Sequence, residues 1–88
     1  MHLASLYIQK ELITSAQIRA ARALLRWSSE DLSKRSGVGI ATIKRLEVMP
    51  GVPNGQIRTL LAIKSAFELG GVIFVGAPDD SPGVRLIS

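Results

Sequence analysis

Two short helical segments separated by only three residues constrain this 88-residue chain more than any other feature. The first covers about residues 29–36, the second covers about residues 40–48, and Gly-Val-Gly lies between them. Gly37 can adopt the left-handed backbone conformation that ends a helix, because glycine has no Cβ. Two helices joined by such a turn are typical of the helix-turn-helix motif, so the sequence predicts a mainly α-helical domain.

Further helices are predicted on both sides of this pair. Thr14 and Gln17 have the spacing of a capping box, so a helix is expected over about residues 15–26. A fourth helix is expected over about residues 56–69, after a loop with two prolines and two glycines at residues 49–55. The side chains that this fourth helix is expected to bury are Ile57, Leu60, Leu61 and Phe67.

The tail of the chain changes to a strand pattern. Residues 72–75 predict a buried strand, residues 76–83 a turn, and residues 84–87 a return strand. An isolated hairpin is marginally stable in water, so these strands are expected to pack on the helices, to join the sheet of a second copy, or both. The sequence thus divides into a leader or arm (1–13), a four-helix domain (14–70) and a C-terminal β-hairpin (71–88). The pattern of the leader does not distinguish a helix from a strand.

Charge and composition narrow the class of partner. The net charge is +4, and residues 15–58 hold eight basic residues against three acidic ones. Such a basic region suits a polyanion, although charged stretches are more often simply solvated. No apolar run approaches the roughly 18 residues of a membrane helix, and the first residues lack the basic start of a signal peptide. A cytoplasmic protein without a membrane partner is expected.

Enzymatic and metal-dependent activities are not expected. The chain has no cysteine and a single histidine, His2, which cannot supply a zinc site. The carboxylate pairs, at residues 30–31 and 79–80, are adjacent in sequence and fit a helix start and a turn. No glycine motif has the spacing that cradles phosphates, so no catalytic residue, cofactor, metal or small-molecule ligand is predicted.

The central helices also resemble a known family. Residues 30–47 read Glu-Asp-Leu-Ser-Lys-Arg-Ser-Gly-Val-Gly-Ile-Ala-Thr-Ile-Lys-Arg-Leu-Glu. This stretch resembles the Cro/phage-repressor (xenobiotic-response-element) family of DNA-binding domains, and the resemblance extends over about residues 14–87, as in short stand-alone bacterial members that end in a hairpin. Two residues depart from the pattern. Ser36 stands where the family often has an apolar residue, and Gly39 where Ser or Thr usually caps the recognition helix.

The resemblance implies a transcriptional regulator, of the repressor type, that binds double-stranded DNA. Its recognition helix, about residues 40–48, would enter the major groove and contact bases through Ile40, Ala41, Lys44 and Arg45. Helical spacing also places these four residues on one face. Candidate contacts to the DNA backbone are Ser29, Lys34, Thr42 and Arg58. Lys44 and Arg45 could instead form an ordinary solvated face, and Lys34 could be ordinary surface charge.

Other residues are assigned structural roles. The resemblance suggests a salt bridge between Arg22 and Glu47, and Trp27 is interpreted as a core residue rather than a stacking platform. A homodimer is expected through the hairpin, with candidate residues Val72, Ile73, Phe74, Val75, Val84 and Leu86. The alternative function is a protein-interaction module, such as an antitoxin or adaptor, in which the hairpin and the leader bind a partner protein.

Overall fold

The computed structural model describes residues 12–87, which form four helices followed by a two-stranded hairpin. The elements are α1 (Ser15–Leu25), α2 (Ser29–Ser36), α3 (Ile40–Glu47), α4 (Ile57–Leu69), β1 (Val72–Ala77) and β2 (Asp80–Leu86). The predicted mainly helical fold with a C-terminal hairpin is therefore confirmed. Most of the predicted leader lies outside the described residues. Its last residue, Ile13, is buried in the core.

The ends of the helices follow from local side-chain chemistry. Thr14 Oγ1 accepts from the Gln17 N–H at 3.1 Å, and Gln17 Oε1 accepts from the Thr14 N–H at 2.8 Å. Ser28 and Asp31 make the same reciprocal pair at the start of α2, at 3.0 and 2.9 Å. Both are capping boxes, which satisfy N–H groups that a helix start leaves unpaired. Asp31 therefore stabilises the start of α2 in two ways. It accepts a hydrogen bond in the capping box, and its negative charge interacts favourably with the helix dipole.

The core lies where the four helices and the inner side of the hairpin meet. Phe67 is fully buried in it, with the Trp27 ring stacked on one side at 5.6 Å and the Phe74 ring tilted against it at 6.1 Å. Arg35 lies over Trp27, 4.6 Å from the ring centroid, which is cation–π distance. Trp27 thus packs between the core and a surface guanidinium, as its interpretation as a core residue requires.

The buried side of α4 differs from the predicted one. Ile57 and Leu61 are 43% and 38% exposed, so their predicted burial is wrong. Ile63 and Ala66 are buried instead, together with Leu60 and Phe67 as expected. Residues at 60, 63 and 67 follow the three- and four-residue steps of one helical face, whereas 57 and 61 follow a neighbouring row that the other elements leave uncovered.

Gly70, which ends α4, allows the close approach of that helix to Trp27. A Cβ atom there would lie 2.9 Å from both Leu25 Cδ1 and Trp27 Cζ2. We expect Gly70→Ala to lower the free energy of unfolding by about 1–3 kcal/mol, because overpacking forces neighbouring side chains out of position. Urea denaturation monitored by circular dichroism measures this change. The exposed Ser65→Ala variant on the same helix is the control, and equal stability of the two variants would contradict the prediction.

The hairpin is longer and its turn shorter than predicted. Only Pro78 and Asp79 lie between the strands, so the expected turn over residues 76–83 is wrong. A bulge keeps the strands paired beyond Val75, with positive φ values at Gly76 (75°) and Ser81 (53°). A Cβ at Gly76 would lie 2.2 Å from the Ser81 carbonyl oxygen, so only glycine fits there. Glycine and proline usually indicate a turn, but here they also lie in and beside a β-bulge within the paired strands. For this reason, the composition of residues 76–83 predicts a turn that is too long.

The inner side of the hairpin packs on the helices of its own chain. Val72 is buried, and Phe74 and Val84 pack against the core. These three side chains thus face the core of their own chain, and dimerisation through the hairpin stays a prediction. Ile73 and Leu86 remain 39% and 43% exposed. The Gln17 amide of α1 also donates to the Gly83 carbonyl at 2.9 Å and contacts the Val75 carbonyl at 3.4 Å, fixing the hairpin against α1.

Candidate nucleic-acid interface

The outer side of α3 carries the residues predicted to contact bases. Ala41, Lys44 and Arg45 are exposed, and Ile40 is half-buried. On the opposite side of the helix, Ile43 and Leu46 are fully buried. The apolar side of α3 is anchored in the core, which turns the two cationic side chains toward solvent. This is the orientation that contact with an external polyanion requires.

The residues predicted to contact the DNA backbone lie on three helices. Ser29 is the first residue of α2, Thr42 lies in α3, and Arg58 is the second residue of α4. Lys34 and Arg58 are exposed, while Ser29 and Thr42 are half-buried. A shallow depression between α2 and α3 is lined by Glu30, Ser33, Lys34 and Ile40. The structure thus brings Lys34 next to the first residue of α3.

The connection between α2 and α3 is fixed by side-chain hydrogen bonds. Gly37 has the expected left-handed conformation, with φ of 77°. The Ser33 hydroxyl donates to the Val38 carbonyl at 2.6 Å, and the Val38 N–H donates to Ser36 Oγ at 3.1 Å. Ser36, which departs from the family pattern, therefore supports the turn through a hydrogen bond. Gly39 precedes α3 and gives it no side-chain cap, as its identity predicts.

An ion pair joins α1 to the end of α3, as the family resemblance suggests. Arg22 Nε and Nη2 donate to the two Glu47 carboxylate oxygens at 2.7 and 3.0 Å, and Arg22 Nη1 donates to the Trp27 carbonyl at 3.0 Å. The side chains are only 24% and 9% exposed. The hydrogen bonds that Arg22 donates to the Glu47 carboxylate raise the pKa of Arg22 above its ordinary value. The pair holds α3 in a fixed position against α1.

Two residues that the sequence pattern does not single out strengthen this attachment. The Arg19 guanidinium donates to the Glu47 carbonyl, and the Ser15 hydroxyl donates to the Met49 carbonyl. The Ser15 N–H also donates to the Gly51 carbonyl at 2.9 Å. Carbonyl groups at a helix end lack partners within the helix, so the Arg19 bond caps the C-terminal end of α3, while the two Ser15 bonds fix the segment that follows it. The acceptors are backbone carbonyl groups, which every residue has, so these bonds cannot be predicted from the residue types.

Within residues 12–87, Arg45 has one polar contact. Its Nη1 lies 3.5 Å from the Asn54 carbonyl in the loop before α4. This distance exceeds the usual range for an N–H···O hydrogen bond, and both groups are exposed, so the contact does not fix the guanidinium. Arg45 can therefore turn toward an external acceptor without losing a strong intramolecular bond.

Two of the three acidic side chains near α3 make hydrogen bonds or an ion pair within the chain. Glu47 is engaged by Arg22, and Asp31 by the capping box of α2. The Ser28 backbone N–H, followed by the Ser28 hydroxyl, holds the pKa of Asp31 below its ordinary value. Glu30 lines the depression beside Lys34, which places one carboxylate at the edge of the candidate interface. The outer side of α3 itself carries only positive charge.

The lowered pKa of Asp31 predicts how stability depends on pH. A carboxylate with a depressed folded-state pKa stabilises the fold above its unfolded pKa, and this stabilisation is lost as pH falls through the folded value. We therefore expect Asp31→Asn to flatten the decrease in Tm between about pH 5 and pH 2 relative to wild type. Thermal melts in buffers of constant ionic strength measure it. The matched control is Glu30→Gln, one residue earlier, and identical pH profiles of Asp31→Asn and wild type would contradict the prediction.

The described part of the chain holds neither a metal-binding cluster nor a membrane-spanning helix. Residues 12–87 contain no group of three or more His, Cys, Asp or Glu side chains that could hold a metal ion. Across the same residues, no helix has the length and apolar character needed to cross a membrane.

Comparison with known proteins does not assign this chain to a family. No protein-family model and no curated protein matches the sequence.

Proposed function

We propose that this chain is a transcriptional regulator that binds specific sequences of double-stranded DNA through α3. One observation carries the proposal: α3 exposes Lys44 and Arg45 on the side opposite its buried residues Ile43 and Leu46. The resemblance of residues 30–47 to Cro-type repressors supports the same interpretation. The protein would act in the cytoplasm, where it meets chromosomal or phage DNA.

In this proposal, α2 and α3 act as a helix-turn-helix unit. The N-terminal part of α3 enters the major groove, which is about 12 Å wide and admits one helix. Arg45 donates two hydrogen bonds to O6 and N7 of a guanine, the pattern that a planar guanidinium fits. Lys44 binds a second guanine or a phosphate. Ile40 and Ala41 cannot donate hydrogen bonds from their side chains, so they suit thymine methyl groups.

Contacts to the phosphates would surround this helix. Ser29 and Arg58 lie in the first turns of α2 and α4, where unpaired N–H groups and the helix dipole favour anions. Lys34 lies beside Ile40 and would reach a phosphate next to the first contacted base. Thr42 has a hydroxyl that can donate to a phosphate oxygen. Such contacts add salt-dependent affinity and fix the position of α3, but they do not read the sequence.

A protein-interaction module is the second candidate function. It is favoured by exposed apolar side chains, of which Leu69 is 90% and Val48 80% exposed. Isolated exposed side chains are common on soluble proteins, so this observation is weaker than the arrangement of α3. A module of this kind would tolerate the loss of Lys44 and Arg45, whereas a DNA-binding protein would not.

Selection of bound DNA from a pool of random duplexes, with the full chain, tests the proposed function. We expect enrichment of one short guanine-containing half-site, repeated with two-fold symmetry about 34 Å apart if two copies bind together. The logarithm of the affinity for the selected duplex should fall linearly with the logarithm of salt concentration. A pool without enrichment, or an affinity insensitive to salt, would contradict DNA binding.

A further inference from the structure

The loop between α3 and α4 holds the only asparagine of the sequence, Asn54, and glycine follows it directly. Both residues are exposed. Because Gly55 has no Cβ, no side chain of its own hinders access to its backbone nitrogen. Among the residues that the structure describes, none accepts a hydrogen bond from the Gly55 N–H. The nitrogen next to the Asn54 side chain is therefore accessible and is not restrained by a hydrogen bond within the fold.

An asparagine followed by such a nitrogen can lose its side-chain amide without a catalyst. The Gly55 nitrogen attacks Cγ of Asn54, and the new C–N bond closes a succinimide ring. The side-chain nitrogen leaves as ammonia, taking with it the proton of the Gly55 N–H. The reacting groups belong to adjacent residues, so the attack is intramolecular and much faster than attack by free water. Asparagine is accordingly one of the thermolabile residues of proteins.

Water then opens the ring at either of its two carbonyl carbons. Opening at Cγ gives an aspartyl side chain. Opening at the backbone carbonyl carbon of Asn54 gives an isoaspartyl linkage, in which the chain continues through Cγ. In both cases the hydroxyl group goes to the carbon and the hydrogen to the Gly55 nitrogen. The resulting acid loses its proton at neutral pH, so either product adds one negative charge to the loop.

This charge arises next to Arg45. Arg45 Nη1 lies 3.5 Å from the backbone carbonyl oxygen of Asn54, and both groups are exposed. In the isoaspartyl product, this same oxygen belongs to the new carboxylate. In the aspartyl product, the carboxylate stands on the side chain of the same residue. A nitrogen and a carboxylate oxygen within about 4 Å form an ion pair, so deamidation would turn the weak contact of Arg45 into a charged one.

We propose that Asn54 is a site of spontaneous deamidation, and that the carboxylate it produces binds Arg45 and lowers affinity for DNA. The chemical step depends only on the loop, whereas the effect on DNA rests on the proposed function. The carboxylate competes with guanine for the same guanidinium, because both accept its paired donors, and it repels nearby phosphates. DNA affinity would therefore decline with the age of the molecule, without a ligand or a partner protein.

Mass spectrometry of the full chain, incubated without DNA at mildly alkaline pH, tests the chemical step. Replacing the amide by a carboxylate raises the mass by about 1 Da and lowers the net charge of +4 by one, so cation exchange separates the products. An exposed loop opens at almost no cost in free energy, so we expect a rate within about tenfold of that of a synthetic peptide of residues 50–58. The matched control, Asn54→Gln, should keep its mass, because a larger ring closes much more slowly.

The Asn54→Asp variant provides the aspartyl product in pure form and tests its pairing with Arg45. Followed by NMR without DNA, the new carboxylate should titrate at lower pH than in the double variant that also carries Arg45→Ala, because a neighbouring cation favours the charged form. On the selected duplex, Asn54→Asp should bind about three- to tenfold more weakly than Asn54→Gln, with a salt slope smaller by about one. In the Arg45→Ala background, the same substitution should have a smaller effect.

These measurements separate deamidation from DNA binding. Deamidation at Asn54 is overturned if the wild-type chain keeps its mass or reacts more than about tenfold more slowly than the peptide. The pairing with Arg45 is overturned if the new carboxylate titrates identically with and without Arg45. The effect on DNA is overturned if Asn54→Asp and the deamidated fraction of wild type bind the duplex as tightly as Asn54→Gln. A chain that deamidates and forms the ion pair but binds no duplex would overturn the proposed function alone.

Discussion

Replacing both Lys44 and Arg45 by alanine is expected to reduce affinity for the selected DNA sequence by at least about 30-fold. A well-formed side-chain contact to a base contributes about 1–3 kcal/mol of discrimination, and about 1.4 kcal/mol corresponds to a factor of ten. Both residues lie on the exposed side of α3, so their removal should leave the core intact. Fluorescence anisotropy with labelled duplexes measures the affinity, and an unchanged Tm shows that the fold is retained.

Two matched variants distinguish readout of bases from general attraction to phosphates. Arg45→Lys keeps the charge but loses the planar pair of donors, so it should lose sequence preference while keeping the salt dependence. Arg58→Ala should weaken binding to all sequences equally and reduce the salt slope by about one. Unchanged affinity in the Lys44 and Arg45 double variant would favour the protein-interaction module instead.

Glu47→Ala is expected to lower the free energy of unfolding by about 2–4 kcal/mol. The change leaves the Arg22 guanidinium, whose side chain is 24% exposed, without the carboxylate that two of its nitrogens contact. The remaining charge would be poorly solvated, with the Trp27 carbonyl still accepting from Nη1 but no anion to balance it. Urea denaturation measures the loss, and DNA affinity should fall with it because α3 loses an attachment.

The control for this prediction removes both charges together. The double variant Arg22→Met with Glu47→Leu replaces the ion pair by apolar side chains, and it should be closer to wild type in stability than Glu47→Ala. Glu68→Ala, an exposed carboxylate on α4, should change stability by less than about 0.5 kcal/mol. A loss in Glu47→Ala no larger than in Glu68→Ala would show that the ion pair does not stabilise the fold.

The helix boundaries are predictable because they depend on short-range chemistry. Capping residues at Thr14 and in the 28–31 segment, and glycine at position 37, mark helix ends through atoms only a few residues apart. The hairpin is less predictable. Gly76 and Pro82 are typical turn residues, yet a bulge places them within paired strands. Their conformation depends on which residues oppose them across the sheet, and that pairing is not a local property of the sequence.

The same distinction applies to the candidate site. The outward direction of Lys44 and Arg45 follows from helical periodicity, and the family resemblance suggests the pair of Arg22 and Glu47. The contacts of Ser15 and Arg19 with carbonyl groups after and within α3 are not predictable, since every residue has a carbonyl. The buried side of α4 is also ambiguous in the sequence, because two adjacent rows of apolar residues compete for the core and tertiary packing selects one.

The attachment of α3 is unequal at its two ends. Its C-terminal end is fixed by Arg19, Arg22 and Ser15, whereas its first turn has no side-chain cap and follows Gly39, which is surrounded by open space on the side where a Cβ would lie. Amide protons in that first turn should exchange with solvent sooner than those near Leu46. In the proposed complex with DNA, α3 would be held at its C-terminal end and could adjust its first turn to slightly different groove widths while the core stays unchanged. The proposed regulator would then bind DNA sites that differ slightly in sequence, because Gly39 leaves the first turn of α3 without a side-chain cap.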